Sequence, residues 1–214
     1  MNDTQFNKLL VFVNGLVPLG LLAYDAAHHQ LGANPQEFTT RATGVLALVF
    51  LLLSLAVTPF RKAFGQPWLS RIRRMLGLFS FFYATLHLLT YVWFTKAFQV
   101  QAILADISKR PFITVGMASF LVLVPLAITS NNRVIRWVGG KRWNRLHRLA
   151  YVAGLGGVVH FYMLVKADVR VPLLFAGALG LLLGYRVLNK FLPRYTECPL
   201  PRAAAKPVRP APTA

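Results

Sequence analysis

The chain has 214 residues, of which 56% are hydrophobic and 14% charged, where a soluble domain carries about 25% charge. It is too apolar to be solvated on all sides and too rich in large apolar side chains to be disordered over most of its length. Its 24 Lys and Arg face 6 Asp and Glu, for a formal net charge of +18. The single cysteine, Cys198, excludes an internal disulfide, a thiolate metal cluster and covalent c-type haem attachment.

Six stretches approach the roughly 20 apolar residues that a membrane-spanning helix needs: Leu9–Ala27, Ala42–Phe60, Met75–Phe94, Phe112–Thr129, Leu146–Val165 and Val171–Leu188. None shows clear period-2 alternation, which argues against a barrel. The expected fold is all-α, a six-helix transmembrane bundle. The first stretch has only Lys8 as a basic flank and the second follows after a short loop, so it reads as a retained span rather than a signal peptide. Pro111 and Pro172 fall where the fourth and sixth spans begin, the helical position that tolerates proline best. Pro18 and Pro125 lie inside spans and are expected to kink them. Trp68, Trp93, Trp137 and Trp143 fall near span ends, as in an interfacial aromatic belt. The bundle is expected over 1–192. A disordered basic tail rich in Pro and Ala is expected over 193–214.

The basic residues divide between the two ends of such a bundle. Lys8, the 61–74 and 133–148 connections and the chain from Arg186 to its end hold eighteen of them; Arg41, Lys96, Lys109, Arg110, Lys166 and Arg170 are the other six. This division places both termini in the cytoplasm. The basic excess is then a topology signal that also suits anionic lipid, not a nucleic-acid footprint.

Five histidines remain to be explained. His28 and His29 follow span one and read as a solvated loop pair. His87 is deep in span three, His160 deep in span five, and His147 near the cytoplasmic start of span five. A titratable side chain at such depth is costly and marks a candidate site; the alternative for one alone is a neutral ring bonded to a backbone carbonyl or hydroxyl. Spans three and five run in the same direction. His87 lies about 20 Å of helix from Arg74 and His160 about 24 Å from Asn144, at 1.5 Å per residue, so the two imidazoles share a level. His147 lies roughly 20 Å nearer the cytoplasm, where span three offers Arg73 and Arg74 instead of a histidine. On a straight helix His147 and His160 point roughly 140° apart. Gly154, Gly156 and Gly157 between them read as close-packing positions. Spans three and five hold no Cys, Asp or Glu to complete a zinc site. Two facing imidazoles suit haem iron, and a six-coordinate buried haem moves electrons.

The run Arg73-Arg74-Met75-Leu76-Gly77-Leu78-Phe79-Ser80-Phe81-Phe82-Tyr83-Ala84-Thr85-Leu86-His87 resembles the third-helix motif of the ferric-reductase-like transmembrane superfamily. Trp143-Asn144-Arg145-Leu146-His147-Arg148-Leu149-Ala150-Tyr151, followed by His160, resembles its fifth. The resemblance covers about residues 5–195. It implies His87, His147 and His160 as haem-iron ligands, with one or two b-type haems. It implies FMN on the cytoplasmic side, with Arg73, Arg74 and Arg145 among the cations that would meet flavin phosphate or haem propionates. The similar NADPH oxidases carry two histidines on each of these helices, whereas span three here has only His87. The similar STEAP metalloreductases hold one haem between them.

The implied role is an electron-transfer subunit of an oxidoreductase complex. It would take electrons from a cytoplasmic flavin reductase or from membrane quinol. It would pass them across the bacterial inner membrane to a periplasmic molybdopterin-containing subunit that reduces methionine sulfoxide in proteins. Two alternatives are a metalloreductase, which predicts an acidic outer loop, and a non-redox assembly protein, which predicts no chromophore. The outer connections carry only Asp25, Glu37, Asp106 and Asp168 against six basic residues, which disfavours a cation site.

Overall fold

The computed structural model describes residues 3–191 apart from 67 and 166, with side chains from Gln5 onward. Among these residues the regular structure is helical. It comprises α1 (Asp3–Ala27), α2 (Pro35–Phe64), α3 (Leu69–Thr90) continued by a π-helical turn at Tyr91–Thr95, α4 (Val100–Lys109) and α5 (Pro111–Ile128). Then follow α6 (Asn132–Val138), α7 (Gly140–Leu146), α8 (Leu149–Leu164) and α9 (Arg170–Phe191). The expected tail over 193–214, with Cys198, lies outside the described residues, as does Lys166.

Five of these helices are long and apolar enough to cross a membrane: α1, α2, α3 with its π turn, α5 and α9. The fifth sequence span corresponds to α8, which has 16 residues, about 24 Å of helix against roughly 30 Å of hydrocarbon. It is shorter than the apolar stretch because the chain leaves the helix at His147 and Arg148. Arg142, Arg145 and Arg148 follow one another too closely to be drawn into hydrocarbon, and they form the separate, exposed α7 and its turn instead.

Local chemistry sets the helix ends. The Asn34 side chain accepts from the Glu37 backbone N–H at 3.2 Å, Pro35 opens α2, and Gly65 closes it with φ +64°. Such a left-handed stop is where glycine is favoured. Pro111 opens α5 and Pro172 sits in the first turn of α9.

The bundle is built on two antiparallel pairs, α2 with α3 and α5 with α8. On the first pair three polar rungs recur at steps of seven residues. The Thr40 carbonyl meets His87 Nδ1 at 2.8 Å, the Ala47 carbonyl accepts from Ser80 Oγ at 2.8 Å, and Ser54 Oγ donates to the Arg73 carbonyl at 3.1 Å. Descending one helix while ascending the other defines the antiparallel register. The seven-residue step keeps the rungs on one seam, and small residues let the backbones approach. On the second pair Gly156 packs directly on Ser119. A Cβ on Gly157 would touch Leu48 at 3.4 Å, and one on Gly154 would touch Leu179, Leu51 and Leu55 at 3.5–3.8 Å. These three glycines therefore let α8 close on α2, α5 and α9, and α8 runs through them unbroken. α1 attaches on the outside of α3, where the Phe79 ring lies against Gly15 and the fully buried Tyr83 donates its hydroxyl proton to the Gly15 carbonyl at 2.7 Å.

α9 is tied to α2 by Arg186, whose Nη2 donates to the Leu55 carbonyl at 2.8 Å while its guanidinium lies 4.5 Å from the centre of the Tyr151 ring. Nη1 is buried without a partner. Leu55 needs this donor because the residue four positions on is Pro59, inside α2, which has no N–H to return to it. Where no water reaches, every backbone group must find a partner in the protein. Arg186→Met is therefore expected to destabilise the purified protein by about 1–3 kcal/mol. In a Pro59→Ala background, which restores the helical donor, it should cost clearly less. A double-mutant cycle on reversible unfolding in detergent checks this; additive costs would contradict the pairing.

Candidate functional site

α3 and α8 end at the same level because each is the ascending member of its antiparallel pair. This brings the His87 and His160 rings opposite each other, with ring centroids 6.1 Å apart and ring planes crossed at 80°. Each ring is held by the start of the partner helix in its own pair. His87 Nδ1 donates to the Thr40 carbonyl of α2 at 2.8 Å, and His160 Nδ1 donates to the Phe112 carbonyl of α5 at 2.7 Å. A carbonyl only accepts, so the proton of each neutral ring sits on Nδ1 and Nε2 carries the lone pair. Both rings line one cavity of about 340 Å³, the upper cavity, whose walls include Leu48, Leu51, Phe120, Leu123 and Phe161.

The mouth of this cavity is fenced by charge. Tyr91, Thr95 and Arg110 line it, and Asp106 on α4 ties Tyr91 and Arg110 to Lys96. Its carboxylate lies 2.6 Å from Lys96 Nζ, accepts from the Tyr91 hydroxyl at 2.9 Å, and stands 3.5 Å from Arg110 Nε. The Lys96 ammonium, followed by Tyr91 and Arg110, holds the carboxyl below the ordinary carboxylate range against the opposing effect of burial. The network locks α4 across the end of α3.

A second, lower cavity of about 400 Å³ lies toward the other end of the bundle. Arg73, Arg74, Trp143, His147 and Arg148 line it, with no acidic residue among the described lining. His147 caps the C-terminus of α7. Its ring stacks on Trp143 at 3.9 Å, and its Nε2 lies 3.2 Å from Thr129 Oγ1. Trp143 Nε1 donates to the Thr129 carbonyl. Arg74 bonds Asn132. Leu51 and Leu123 wall both cavities and, with Ala153, form a buried apolar septum between them. Phe81 of the lower cavity and Phe120 of the upper one stack across it at 5.7 Å.

The residues singled out from sequence thus separate into groups. His87 and His160 share the upper cavity, while His147, Arg73 and Arg74 share the lower one. Arg145 lies exposed on α7, outside the lining of both. The straight-helix angle between His147 and His160 is altered by the turn at His147 and Arg148, which interrupts the α-helical hydrogen bonding between α7 and α8. Trp143 is not an outward-facing belt residue, since its ring is committed to His147. His28 and His29 are exposed, and the described residues contain no group of three or more His, Cys, Asp or Glu suited to a metal ion.

Residues 43–158 match the family described as the ferric reductase like transmembrane component. The chain is 48% identical over 182 residues to the protein-methionine-sulfoxide reductase heme-binding subunit MsrQ of Herminiimonas arsenicoxydans, covering 84% of each chain. It is 50% identical over 184 residues to that of Rhodospirillum rubrum, covering 86% of this chain and 88% of the relative. With MsrQ of Bordetella pertussis it shares 47% over 182 residues, covering 84% and 88%. The chain belongs to the MsrQ group of the ferric-reductase-like transmembrane family. It is accordingly a multi-pass membrane protein.

Several members of this site carry no signal in a sequence motif. Thr40 and Phe112 act through backbone carbonyls, and Thr129 and Asp106 through contacts made only in the fold. Gly44 and Gly116, each four residues after one of the two carbonyls, were visible as glycines within spans.

The Asp106 network sets a pH expectation. Its carboxylate is stabilised in the charged form, so the lock is complete through neutral and mildly acidic pH and is lost as pH falls through the lowered value. Hydrogen-exchange protection over Val100–Lys109, taken relative to the intrinsic rate at each pH, should be high near neutrality and fall in acid, and Asp106→Asn should be weakly protected at both. Equal protection in wild type and Asp106→Asn at neutral pH would remove the lock.

Proposed function

We propose that the chain is a b-type haem protein of the bacterial inner membrane that carries electrons outward, with His87 and His160 as the two axial ligands of one haem in the upper cavity. The observation that carries this reading is the histidine pair. An imidazole nitrogen binds a transition metal at about 2 Å, with its ring centre about 1 Å behind, so one ion between two opposed nitrogens separates the ring centres by about 6 Å. The two ring centres stand 6.1 Å apart. Both Nε2 atoms are free of protein partners, because both protons are committed to carbonyls on the far side of the rings. Such backing orients a ligating imidazole and raises its basicity. The apolar walls exclude water, and no carboxylate or thiol competes for the metal among the residues lining the cavity.

A haem held by His87 and His160 would supply one-electron transfer. The protein's part is to hold the two rings, keep the pocket dry, and connect it to both membrane faces. The eighteen-to-six division of basic residues supports a cytoplasmic location for the lower end and for both termini. There Arg73, Arg74 and His147 line a cavity suited to the anionic groups of a second cofactor, FMN or an inner haem. Arginine favours phosphate and carboxylate through its fork of donors. Arg145, exposed on α7, belongs to the docking face for the donor, a flavin reductase or membrane quinol. The septum of Leu51, Leu123 and Ala153 separates the two levels. At the upper end the acceptor is the periplasmic molybdopterin-containing subunit MsrP, which would reduce methionine sulfoxide in oxidised proteins. The names of the relatives support that partner system. A metal-ion acceptor has less support: Asp106, the buried carboxylate near the upper mouth, is already engaged by Lys96, Tyr91 and Arg110.

His87→Ala and His160→Ala should each remove the upper haem, read as loss of its low-spin Soret absorption and of haem per chain in detergent-purified protein. Full retention in either variant would overturn the pairing. His147→Ala should lower flavin or second-haem content while the upper haem stays; complete haem loss in that variant would contradict the assignment to two levels.

A further inference from the structure

The glycines of the spanning helices differ in what they face, and most of those that meet a neighbour pack on a side chain of the bundle core, as Gly15 does on Phe79. Gly20, Gly177, Gly180 and Gly184 face open space. Gly44 and Gly116 face the two histidines of the upper cavity. A Cβ on Gly44 would stand 2.9 Å from His87 Nδ1 and 3.0 Å from Cε1. One on Gly116 would stand 2.7 Å from His160 Nδ1 and 2.9 Å from Cε1. These separations are too short for carbon against an aromatic ring atom, so with any other residue each ring would have to move. The positions are also equivalent. Gly44 is four residues after Thr40 and Gly116 four residues after Phe112, the two residues whose carbonyls hold the rings. In an α-helix the side chain at i+4 stands over the carbonyl of residue i. Removing its Cβ uncovers that carbonyl to a donor from a neighbouring helix.

We propose that Gly44 and Gly116 are positioning residues for the iron ligands: each forms a notch that seats one imidazole edge-on against a backbone carbonyl, and together the notches set the 80° crossing of the ring planes. The inference rests on the haem reading above. Each notch acts on its own ring, because the two lie on different helices. The hydrogen bond from Nδ1–H strengthens the donor character of Nε2, which favours the oxidised iron. Filling a notch pushes the ring off its carbonyl and weakens that effect. The tighter contact, at Gly116, should respond more.

The test compares purified full-length wild type with Gly44→Ala, Gly116→Ala and, as a control glycine in open space, Gly180→Ala. Crossed imidazole planes give ferric low-spin haem a strongly anisotropic paramagnetic resonance spectrum, and more nearly parallel planes give a resolved rhombic one. Both notch variants should shift toward the rhombic form and to a more positive midpoint potential, with Gly116→Ala the larger shift and Gly180→Ala unchanged. Wild-type spectra and potentials in both notch variants, or an equal shift in Gly180→Ala, would overturn the proposal. Should an alanine variant fail to assemble, nitrogen-15 histidine labelling of the wild type decides. Two rings protonated at Nδ1 with strongly hydrogen-bonded protons are expected, and protonation at Nε2 overturns the notches. Wild-type protein without haem, or with haem untouched by His87→Ala and His160→Ala, would sink the haem reading alone and leave the notches to the same nitrogen-15 spectrum.

Discussion

A backbone carbonyl accepts hydrogen bonds and never donates them, and this asymmetry organises the upper end of the bundle. Once the carbonyls of Thr40 and Phe112 each take an Nδ1–H, the tautomer of both imidazoles is fixed, their orientation follows, and both lone pairs are left on Nε2. A buried imidazole N–H without a partner would cost about 1–3 kcal/mol, so each carbonyl also removes a penalty that would otherwise drive its ring elsewhere. The ligand set proposed for iron is thus prepared by main-chain atoms of the neighbouring helices, with no polar side chain spent on it.

Those carbonyls reach the histidines only because the helices pair in one register. Thr40 with His87, Ala47 with Ser80 and Ser54 with Arg73 are rungs of a single seam. A slip of one residue would turn a helix face by about 100° and lose all three. The serines therefore do more than fill space between α2 and α3, since they hold the register that sets the height of His87. On the other pair, the contact of Gly156 with Ser119 and the approach of Trp143 and His147 to Thr129 serve the same end for His160. Hydrocarbon gives no hydrophobic drive between helices, so such close contacts and interhelical hydrogen bonds carry the association.

Much of this was legible in the sequence and some of it was not, for physical reasons. Apolar length and the placement of Lys and Arg mark the spans, because both reflect transfer into lipid and need no tertiary context. Counting residues from span starts puts His87 and His160 at one height because helical rise is nearly constant. The start of the fifth span differs from its apolar stretch: Leu146 closes α7, His147 and Arg148 form a turn, and α8 begins at Leu149. The assignment of Trp143 to an aromatic belt failed for a related reason, since a ring near a span end can turn inward when a cavity offers it a partner. Arg145 is equivalent to Arg73 and Arg74 in charge and level, but its place on α7 leaves it exposed and outside both cavities. The carbonyl partners left no mark at all, as backbone acceptors are common to every residue type.

What did leave a mark is the residue four positions beyond each exposed carbonyl, and here three contacts share one logic. An α-helix hides the carbonyl of residue i in two ways: the N–H of residue i+4 bonds it, and the side chain of i+4 stands over it. At Leu55 the residue at i+4 is Pro59, which withholds the N–H and leaves a carbonyl that Arg186 satisfies from α9. At Thr40 and Phe112 it is Gly44 and Gly116, which withhold the Cβ and leave carbonyls that His87 and His160 reach from α3 and α8. Proline thereby creates a vacancy that a neighbouring helix must fill, a structural tether. Glycine creates access that a neighbour uses while the helix keeps its own bond, which suits a ligand needing orientation rather than a backbone needing repair. In a membrane bundle of this kind, a Pro or Gly four residues beyond a point where another helix carries Arg or His is therefore a place to look for cross-helix coupling before any side-chain pairing is considered.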